Sequence, residues 1–481
     1  MNAVPGFHIQ NFGCRATQAD GASLVHQFEQ LGLSRSSPDL ADVVVLNTCT
    51  VTAAADQEAR YAIRRVQRHN PGAQVIVTGC YAQRAPQEIA ALPGVSAVIG
   101  NSHKHQLAEI VLAQARLTQT SFVPVSALAN RQRPFSACPE RSQKTDDATP
   151  VHVSDIFAHT ELLAAPFFEF ASASERTRPN LKVQDGCDNR CSFCVIPSVR
   201  GHSRSLPLDR ILAEVRFLVG SGHRELVLSG INLGRWGRDL TGEPLTTGDR
   251  RLTSLIRAIL SQTSLEKLRI SSVEPMDWSR EFISLVASSP RIAKHAHLPL
   301  QSGSDSVLRR MHRKYRPWHY REKIELIHAT IPTAAIGADV MSGFPGETDA
   351  EFDQTLRLID DLPFTYLHVF PYSSRPGTPA AAMPHQVSPR IVRERHRILC
   401  DLAAAKHHAF MLRFIGTSLD AITLHSPAVG DPAFAETDAG FTEALTDNYL
   451  KLRLKGRHAP NRWLRVHIES VGEGSLAGFV L

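Results

Sequence analysis

The feature that most constrains the fold of this chain is a repeat of strand, polar loop and helix between residues 179 and 412. Apolar segments such as Glu225–Ser229, Ala335–Met341 and Tyr366–Phe370 each lead into a loop of glycine and small polar residues. With the strand Leu181–Gln184, the segment contains six such units. Strands that alternate with helices form parallel sheets, so the repeat predicts a partial (β/α)6 barrel. Barrels bind their ligands at the carboxyl ends of the strands, which is where these loops lie.

One of the loops carries three cysteines with the spacing C-x3-C-x2-C. Cys187, Cys191 and Cys194 directly follow the strand Leu181–Gln184. Three thiolates can hold a [4Fe–4S] cluster whose fourth iron stays open to a ligand. A zinc knuckle usually shows paired C-x2-C and a histidine partner instead. The spacing resembles the signature of the radical S-adenosylmethionine (SAM) superfamily, which implies that the open iron binds SAM and that SAM is cleaved to a 5′-deoxyadenosyl radical.

The polar loops after the other barrel strands are candidates for SAM contacts. By resemblance to the superfamily, Gly230 and Asn232 would lie near the methionine portion of SAM. Glu274, Gln301 and Gly343 are candidates for its ribose or adenine side. Ordinary turn chemistry accounts equally well for any one of these loops alone. Their succession behind the cysteine motif favours ligand binding.

Residues 1–118 have a second pattern of alternating strands and helices, which predicts an open parallel α/β sheet. Cys14, Cys49 and Cys80 each come directly after a predicted strand. The carboxyl ends of parallel strands meet at one edge of the sheet, so the three thiols are expected to share a metal site. An iron–sulfur cluster with one open iron fits three thiolates, whereas zinc needs a fourth ligand that the sequence does not identify. Small buried core cysteines are the simpler alternative.

Residues 413–481 contain short strands separated by turns, a pattern that predicts a small antiparallel β-barrel. Lys451, Arg453 and Lys455 alternate along one of these strands, so their side chains point to one face. We expect this face to bind nucleic-acid phosphates, because neutralising phosphates supplies most of the non-specific affinity. A solvated basic face without a partner is the alternative.

A second basic segment is residues 306–321, which contain no glutamate or aspartate. Arg313, Lys314 and Trp318 are its candidate RNA contacts, and Tyr315 and Tyr320 stand between the basic residues. Basic and aromatic side chains together are suited to stacking on unpaired bases. Here too, a solvated face is the alternative.

Composition and the remaining segments add few constraints. The chain has 53 basic and 47 acidic residues, a net charge of +6. No segment approaches the roughly 18 apolar residues of a membrane helix, and the first residues lack a signal-peptide pattern. We therefore expect a cytoplasmic protein with no membrane partner, in which disulfides are rare. Residues 119–178 are predicted to be a linker, and Cys138 within it and Cys400 receive no role.

Over nearly its whole length the chain resembles the radical SAM methylthiotransferase family. The matching stretches are Asn47–Thr52, Thr78–Gln83, Gln184–Cys194, Gly343–Thr348 and Phe370–Pro379. The resemblance implies an N-terminal cluster-binding domain over residues 1–118, a radical SAM domain over 179–412 and a TRAM-like RNA-binding domain over 413–481. It also implies one [4Fe–4S] cluster on each cysteine trio.

Within this family, the residues around Cys14, Cys49 and Cys187 are most similar to the MtaB branch. That resemblance implies methylthiolation of C2 of N6-threonylcarbamoyladenosine at position 37 of tRNA, with two SAM molecules, a sulfur donor and an electron donor such as flavodoxin or ferredoxin. A cation for the threonylcarbamoyl carboxylate would come from Arg235 or Arg375. The alternatives are an isopentenyladenosine substrate, as in the MiaB branch, and a ribosomal-protein aspartate, as in the RimO branch. From another class, the alternative is a non-catalytic tRNA-binding zinc protein.

Overall fold

The computed structural model describes residues 4–119, 148–159, 177–240, 251–425 and 440–481. Cys138 and most of the predicted linker lie outside these residues. The chain divides into two compact units, residues 1–50 with 54–159, and residues 51–53 with 160–481. Within the described residues, no helix combines the length and the apolar character that a membrane span requires.

The first unit is built on a six-stranded parallel sheet. Its strands are β1 (Gly6–Asn11), β2 (Ser34–Arg35), β3 (Val43–Thr48), β4 (Gln74–Gly79), β5 (Val95–Gly100) and β6 (Val151–His152). Their order across the sheet is β2-β1-β3-β4-β5-β6. The helices are α1 (Arg15–Gln30), α2 (Ala53–His69), α3 (Cys80–Arg84), α4 (Pro86–Ala90) and α5 (Leu107–Gln119).

Both faces of this sheet are buried, which explains the continuous apolar run in β3. Alternate side chains of a strand point to opposite faces. Val44 and Leu46 pack with Ile63 of α2 in one core, whereas Val45 packs with Phe28 of α1 in the other. Fully buried parallel strands of this type read as continuous apolar segments. The predicted open parallel α/β sheet is confirmed.

The second unit contains the strand–loop–helix repeat. Its strands are β7 (Asn180–Asp185), β8 (Arg204–Ser205), β9 (Glu225–Gly230), β10 (Lys267–Ile270), β11 (His295–His297), β12 (Ala335–Ser342) and β13 (Tyr366–Pro371). They form one sheet of order β10-β9-β7-β8 and another of order β11-β12-β13. A parallel bridge between Leu268 and Ile292 connects the two sheets. Apart from the short antiparallel β8, the strands give the predicted partial barrel, with β13 at its edge.

Helices follow the barrel strands. They are α6 (Ile196–Arg200), α7 (Leu208–Gly220), α8 (Arg251–Gln262), α9 (Arg280–Ser288), α10 (Asp305–Arg310), α11 (Pro317–Thr330), α12 (Asp349–Asp361) and α13 (Pro389–Leu412). The sequence specifies the start of α12 clearly. The Thr348 hydroxyl accepts a hydrogen bond from the Glu351 amide, and the Glu351 carboxylate accepts one from the Thr348 amide. This reciprocal capping satisfies two amides at the helix start.

A closed five-stranded barrel ends the second unit. Its strands are β14 (Ser418–Thr423), β15 (Phe441–Thr446), β16 (Lys451–Lys455), β17 (Trp463–Val471) and β18 (Leu476–Val480). The prediction of a small barrel is confirmed, with one difference in strand direction. Four of its pairings are antiparallel, and the pairing of β16 with β18 is parallel. Five strands in a closed ring cannot alternate direction throughout, so one pair must be parallel.

The turn between β15 and β16 contacts the beginnings of the central barrel strands. The Arg269 guanidinium donates hydrogen bonds to the carbonyls of Thr446 and Asp447, at 3.3 and 3.2 Å. The Asn448 amide donates to the Thr333 carbonyl at 3.1 Å. These contacts lie at the end of the strands opposite the polar loops, the face of a β/α barrel that serves stability.

Candidate functional site

The cysteine loop joins β7 to α6 and is fixed at both ends. The Asp185 carboxylate accepts two hydrogen bonds of 3.0 Å from the Arg200 guanidinium and one of 2.9 Å from the Gly186 amide. The Cys187 amide donates to the Gly201 carbonyl at 3.1 Å. The C-x3-C-x2-C segment and the short helix α6 lie between these anchors, so the three thiols are kept in one loop at the carboxyl end of β7.

Hydrogen-bond donors point at two of the three sulfurs. The Asn189 amide and the Asn232 side-chain amide lie 3.4 and 3.7 Å from Cys187 Sγ. The guanidinium of Arg313 lies 3.2 Å from Cys191 Sγ. Donors of this kind stabilise thiolates, which are the form that binds iron. The loop therefore fits an iron–sulfur cluster by the chemistry of its donor set.

Burial acts in the opposite sense on two of the three thiols, Cys187 and Cys194. It raises the pKa of the Cys194 thiol to about 12, and it also raises the pKa of Cys187. A thiol in such a place loses its proton when it coordinates a metal, because coordination deprotonates thiols outright. The sulfurs of Cys187 and Cys194 are therefore suited to metal binding rather than to acting as free nucleophiles.

The spacing of the thiols favours a cluster over zinc. Tetrahedral zinc, with bonds of about 2.3 Å to sulfur, holds its ligands within about 4 Å of one another. Among the described residues, one group of three His, Cys, Asp or Glu ligand atoms lies within 4.8 Å of one another, and it contains no cysteine. The three sulfurs of each trio therefore do not all lie within 4.8 Å of one another. A cluster spaces its thiolates more widely, because each thiolate binds a different iron.

Two of the predicted SAM contacts carry buried polar atoms that find no partner within the described part of the chain. They are Oδ1 of Asn232 and Oε1 of Gln301. Gln301 also has a left-handed backbone, with φ of 65°, which is unusual for a residue with a side chain. Buried polar atoms are rarely left unbonded, so these two fit contacts to a polar ligand at the carboxyl edge of the barrel.

The other three predicted SAM contacts have structural partners of their own. A Cβ on Gly230 would lie 2.9 Å from the Gln184 side chain, and one on Gly343 would lie 2.4 Å from Val392. Close packing within the protein thus explains why both positions are glycine. Both Glu274 carboxylate oxygens accept hydrogen bonds from Arg313, at 2.8 and 2.6 Å.

The cysteines of the first unit follow three adjacent strands, β1, β3 and β4. Gly13 has φ of 87°, and a Cβ on it would lie 2.8 Å from Cys49 Sγ, so the segment that carries Cys14 packs directly on Cys49. The Asn101 side-chain amide donates to Cys80 Sγ at 3.6 Å. Cys14 is exposed, while Cys49 and Cys80 are buried. One exposed and two buried thiols at one sheet edge fit a cluster that is open on one side.

A polar group on β11, β12 and β13 was missed by the sequence analysis. His297 Nε2 and His368 Nδ1 lie 3.4 and 3.3 Å from the same oxygen of Asp339. Nδ1 of His297 is hydrogen-bonded to the Ser272 hydroxyl. Burial opposes the Asp339 charge, but the two imidazoles hold the pKa of its carboxyl well below the ordinary value. The signal was a polar residue at alternating positions of otherwise apolar strands, which places these side chains on the interior face of a barrel.

This polar group is open on the side of the edge strand. The side chain of His368 is 58% exposed, that of Asp339 is 25% exposed, and that of His297 is 7% exposed. A ligand that enters the barrel beside β13 therefore meets His368 first. The group combines hydrogen-bond donors with a carboxylate acceptor.

A cavity of about 230 Å³ lies beside the cysteine loop. Its lining includes Asn232 and the cations Arg235, Arg238 and Lys314. Arg235 lies 4.0 Å from the Asp277 carboxylate. Arg375, the other predicted partner for a substrate carboxylate, is 6% exposed, and its Nε donates to the Ser374 carbonyl at 3.0 Å. Of the two, Arg235 lines the cavity.

The predicted basic strand has the expected alternation. Lys451, Arg453 and Lys455 are exposed on β16, while Leu452 and Leu454 between them lie in the core of the C-terminal barrel. Lys455 forms a 2.8 Å ion pair with Glu469. Arg453 lies over the ring of Phe441, 4.7 Å from its centroid.

The second basic segment corrects one prediction. Arg313 is 8% exposed and binds Glu274, and Tyr315 and Tyr320 are 1% and 0% exposed. These three residues pack inside the barrel wall instead of facing solvent, because the chain after α10 turns back against the cysteine loop. Lys314 is exposed and Trp318 is 56% exposed. Of the three predicted RNA contacts in this segment, Lys314 and Trp318 remain candidates.

A cysteine loop with donors aimed at its sulfurs, set at the carboxyl edge of a partial β/α barrel, defines the class of radical SAM enzymes. The profile of the Radical SAM superfamily matches residues 181–359, and a profile described as "Uncharacterized protein family UPF0004" matches residues 6–100. A solved structure of the radical SAM methyltransferase TsrM from Kitasatospora setae shares the fold, with a TM-score of 0.54 and 15% identity over 79% of this chain and 74% of that one.

Curated relatives extend the match to almost the whole chain. The threonylcarbamoyladenosine tRNA methylthiotransferase MtaB of Aquifex aeolicus is 34% identical over 96% of this chain and 99% of its own length. The protein of the same name from Bacillus subtilis is 33% identical, over 94% and 91%. The tRNA-2-methylthio-N(6)-dimethylallyladenosine synthase of Thermobifida fusca is 31% identical, over 88% and 78%. The chain belongs to the radical SAM methylthiotransferase family, whose radical SAM domain implies SAM and a [4Fe–4S] cluster as cofactors.

Proposed function

We propose that this protein adds a methylthio group to C2 of N6-threonylcarbamoyladenosine at position 37 of tRNA. The relatives that carry this activity in their names match nearly the full chain, which supports the proposal. The enzyme uses two [4Fe–4S] clusters, one on Cys187, Cys191 and Cys194 and one on the trio of the first unit. A sulfur donor and a one-electron donor such as flavodoxin or ferredoxin complete the reaction.

When bound, the clusters and two SAM molecules would supply the sulfur, the methyl group and the radical that takes hydrogen from C2. The residues of the chain bind and orient SAM and the adenosine. Asn232 and Gln301 offer their unbonded oxygens to SAM at the edge of the barrel. A purine C2 carries no acidic hydrogen, so the abstraction step requires no general base.

The observation that carries the choice of substrate is the polar group His297, Asp339 and His368 in the barrel interior. A threonylcarbamoyl group presents a ureido N–H, a hydroxyl and a carboxylate. Asp339 can accept from an N–H or hydroxyl, and His368 can donate to a carboxylate. An isopentenyl group cannot donate or accept a hydrogen bond, so it would displace water from Asp339 and His368 without replacing the hydrogen bonds, which costs binding free energy.

Two further features fit the same substrate. Arg235, at the cavity beside the cysteine loop, is a candidate partner for the substrate carboxylate. Exposed cations on β16, together with Lys314 and Trp318, are candidates for contacts with the tRNA backbone and with unpaired bases.

Replacing His368 with methionine should lower 2-methylthio modification of N6-threonylcarbamoyladenosine by about tenfold or more. A hydrogen bond to a charged group contributes about 1.5–3 kcal/mol, and methionine has a similar length but no N–H donor. The measurement is nucleoside mass spectrometry of tRNA from cells that lack the gene and carry either the wild type or the variant.

The matched control is His408→Met, since His408 is exposed on α13, and its tRNA should be modified as in the wild type. Equal modification by His368→Met and the wild type would exclude His368 from substrate recognition. If cells without the gene instead lost the methylthio group of isopentenyladenosine, or kept all tRNA modifications and lost one on a ribosomal protein, the proposed substrate would be wrong.

Replacing Lys451, Arg453 and Lys455 together with alanine should weaken tRNA binding and flatten its salt dependence. Each phosphate contact contributes about 0.7–0.9 to the slope of log affinity against log salt, so the slope should become shallower by about 2. Fluorescence anisotropy over a range of salt concentrations measures this slope.

SAM cleavage without tRNA should be unchanged in this triple variant, which shows that the barrel is intact. The control is Arg397→Ala, an exposed residue of α13 that pairs with Asp401. An unaltered slope in the triple variant would mean that this face of β16 does not contact tRNA.

A further inference from the structure

Arg313 is a buried cation in direct contact with a candidate cluster ligand. Its Nη1 lies 3.2 Å from Cys191 Sγ, and its Nε donates to the Tyr315 hydroxyl at 3.2 Å. Its Nη2 donates to both carboxylate oxygens of Glu274. Each guanidinium nitrogen therefore has a partner, and the planar fork is held in one orientation. The site needs no mobile side chain to bring the charge to the sulfur.

The backbone explains why Arg313 reaches the cysteine loop. After α10 the chain turns at His312, whose φ is 56°. The Ser192 amide donates to the Met311 carbonyl at 3.1 Å, and the Ser192 hydroxyl donates to the Arg310 carbonyl at 2.8 Å. His312 Nδ1 is hydrogen-bonded to the Arg190 carbonyl at 3.2 Å. Three contacts thus join the segment before Arg313 to the residues on both sides of Cys191.

The charge on Arg313 is secure despite its burial. A guanidinium stays protonated in proteins, and both oxygens of the Glu274 carboxylate accept hydrogen bonds from this one. Glu274 binds the Nη2 side of the guanidinium, while the sulfur lies on the Nη1 side. The cation is therefore nearer to Cys191 than its counter-charge is, and the pair presents its positive end to the sulfur.

We propose that Arg313 is a positioning residue that sets the reduction potential of the cluster held by Cys187, Cys191 and Cys194, and that Glu274 limits the size of its effect. Reduction adds one electron from the one-electron donor to the cluster, and no bond forms or breaks in that step. The cluster gains negative charge, so a buried cation and a hydrogen bond to a ligand sulfur stabilise the reduced state more than the oxidised state. The inference rests on the cluster that the family implies and is independent of which adenosine is the substrate.

The test is a potentiometric titration of the reconstituted, SAM-free enzyme, followed by electron paramagnetic resonance. The signal that changes when SAM is added identifies this cluster. Arg313→Gln removes the charge while keeping a polar side chain, so its midpoint potential should be more negative than that of the wild type. Arg313→Lys keeps a charge without the fork and should lie between the two. Arg309→Gln, an exposed residue of α10 paired with Asp305, should leave the potential unchanged.

Glu274→Gln provides a shift of opposite sign, because removing the counter-charge leaves Arg313 less neutralised and should make the potential more positive. A merely structural role for Arg313 and Glu274 does not produce opposite shifts. Iron and sulfide content is measured for every variant. An Arg313→Gln enzyme with full iron content and the wild-type potential would overturn the proposal. If Arg313→Gln assembled no cluster, an unchanged or more negative potential in Glu274→Gln would overturn it.

Discussion

Changing Cys191 to alanine should abolish SAM cleavage while the iron bound by the first unit stays in place. Cys191 is one of three thiols in the barrel loop, and a cluster with two protein ligands loses its hold on iron. Without this cluster no electron reaches SAM. The measurements are iron and sulfide content after anaerobic reconstitution, and formation of 5′-deoxyadenosine from SAM. Iron per chain should fall by about half, from near eight.

Changing Cys49 to alanine should give the complementary result. Cys49 is buried at the edge of the first sheet, apart in sequence from the barrel loop. This variant should still cleave SAM and should form no methylthio product. Cys400 offers a matched control, because it is a half-buried cysteine on α13 that belongs to neither trio. Cys400→Ala should keep all its iron and its activity.

Comparing the Cys191→Ala and Cys49→Ala variants distinguishes two independent clusters from a single shared cluster. If either cysteine change removed all the iron, the assignment of an independent cluster to each trio would be wrong. If the chain bound zinc and no iron under anaerobic reconstitution, the enzymatic class itself would be in question.

The second large effect concerns the substrate. Purified, reconstituted enzyme should modify tRNA that carries N6-threonylcarbamoyladenosine and should not modify tRNA that carries isopentenyladenosine. A site built to hydrogen-bond a polar group discriminates strongly, by about 10⁴–10⁵, against an analogue that lacks it, because its buried polar atoms are left unpaired. In the group of His297, Asp339 and His368 the two imidazoles already pair with Asp339, and His368 is partly exposed, so we expect a clear preference that stays below this limit.

Product formation is followed by mass spectrometry of nucleosides from two tRNA preparations that differ only in the group on N6. Unmodified tRNA serves as the control for recognition of the RNA alone. A preference for isopentenyladenosine would contradict the proposed substrate and leave the radical chemistry intact. Modification of both substrates at similar rates would show that the interior group does not select between them.

Much of the fold follows from local sequence patterns. The alternation of apolar strands with helices specifies the parallel sheet and the partial barrel, because each face that needs burial is visible in the periodicity. Cysteine spacing identifies the barrel loop because Cys187, Cys191 and Cys194 are close along the chain, so their pattern is also local. The parallel pairing of β16 with β18 is different, as it depends on the number of strands in a closed ring.

Long-range partners are what sequence patterns do not reveal. Arg313 belongs to a basic segment, and its partner Glu274 is 39 positions away. Because that pairing is invisible in the sequence, a buried cation beside Cys191 was interpreted as an RNA contact. The interior group was missed for the same reason, because His297, Asp339 and His368 come from three separate strands. The packing of Gly230 against Gln184 and of Gly343 against Val392 is also invisible in the sequence, and their predicted role at SAM stays a prediction.

The junction between the two barrels of the second unit affects how deletion experiments can be interpreted. Arg269 and Glu225 form an ion pair with both side chains 0% exposed, and the carbonyls of Thr446 and Asp447 complete the coordination of that guanidinium. A chain cut before residue 413 would remove those carbonyls. Leaving two donors of a buried guanidinium without their acceptors costs about 1–3 kcal/mol each, a large part of the roughly 5–15 kcal/mol that stabilises a domain. A truncated enzyme that fails on tRNA would therefore report a weakened catalytic scaffold as well as a missing RNA surface.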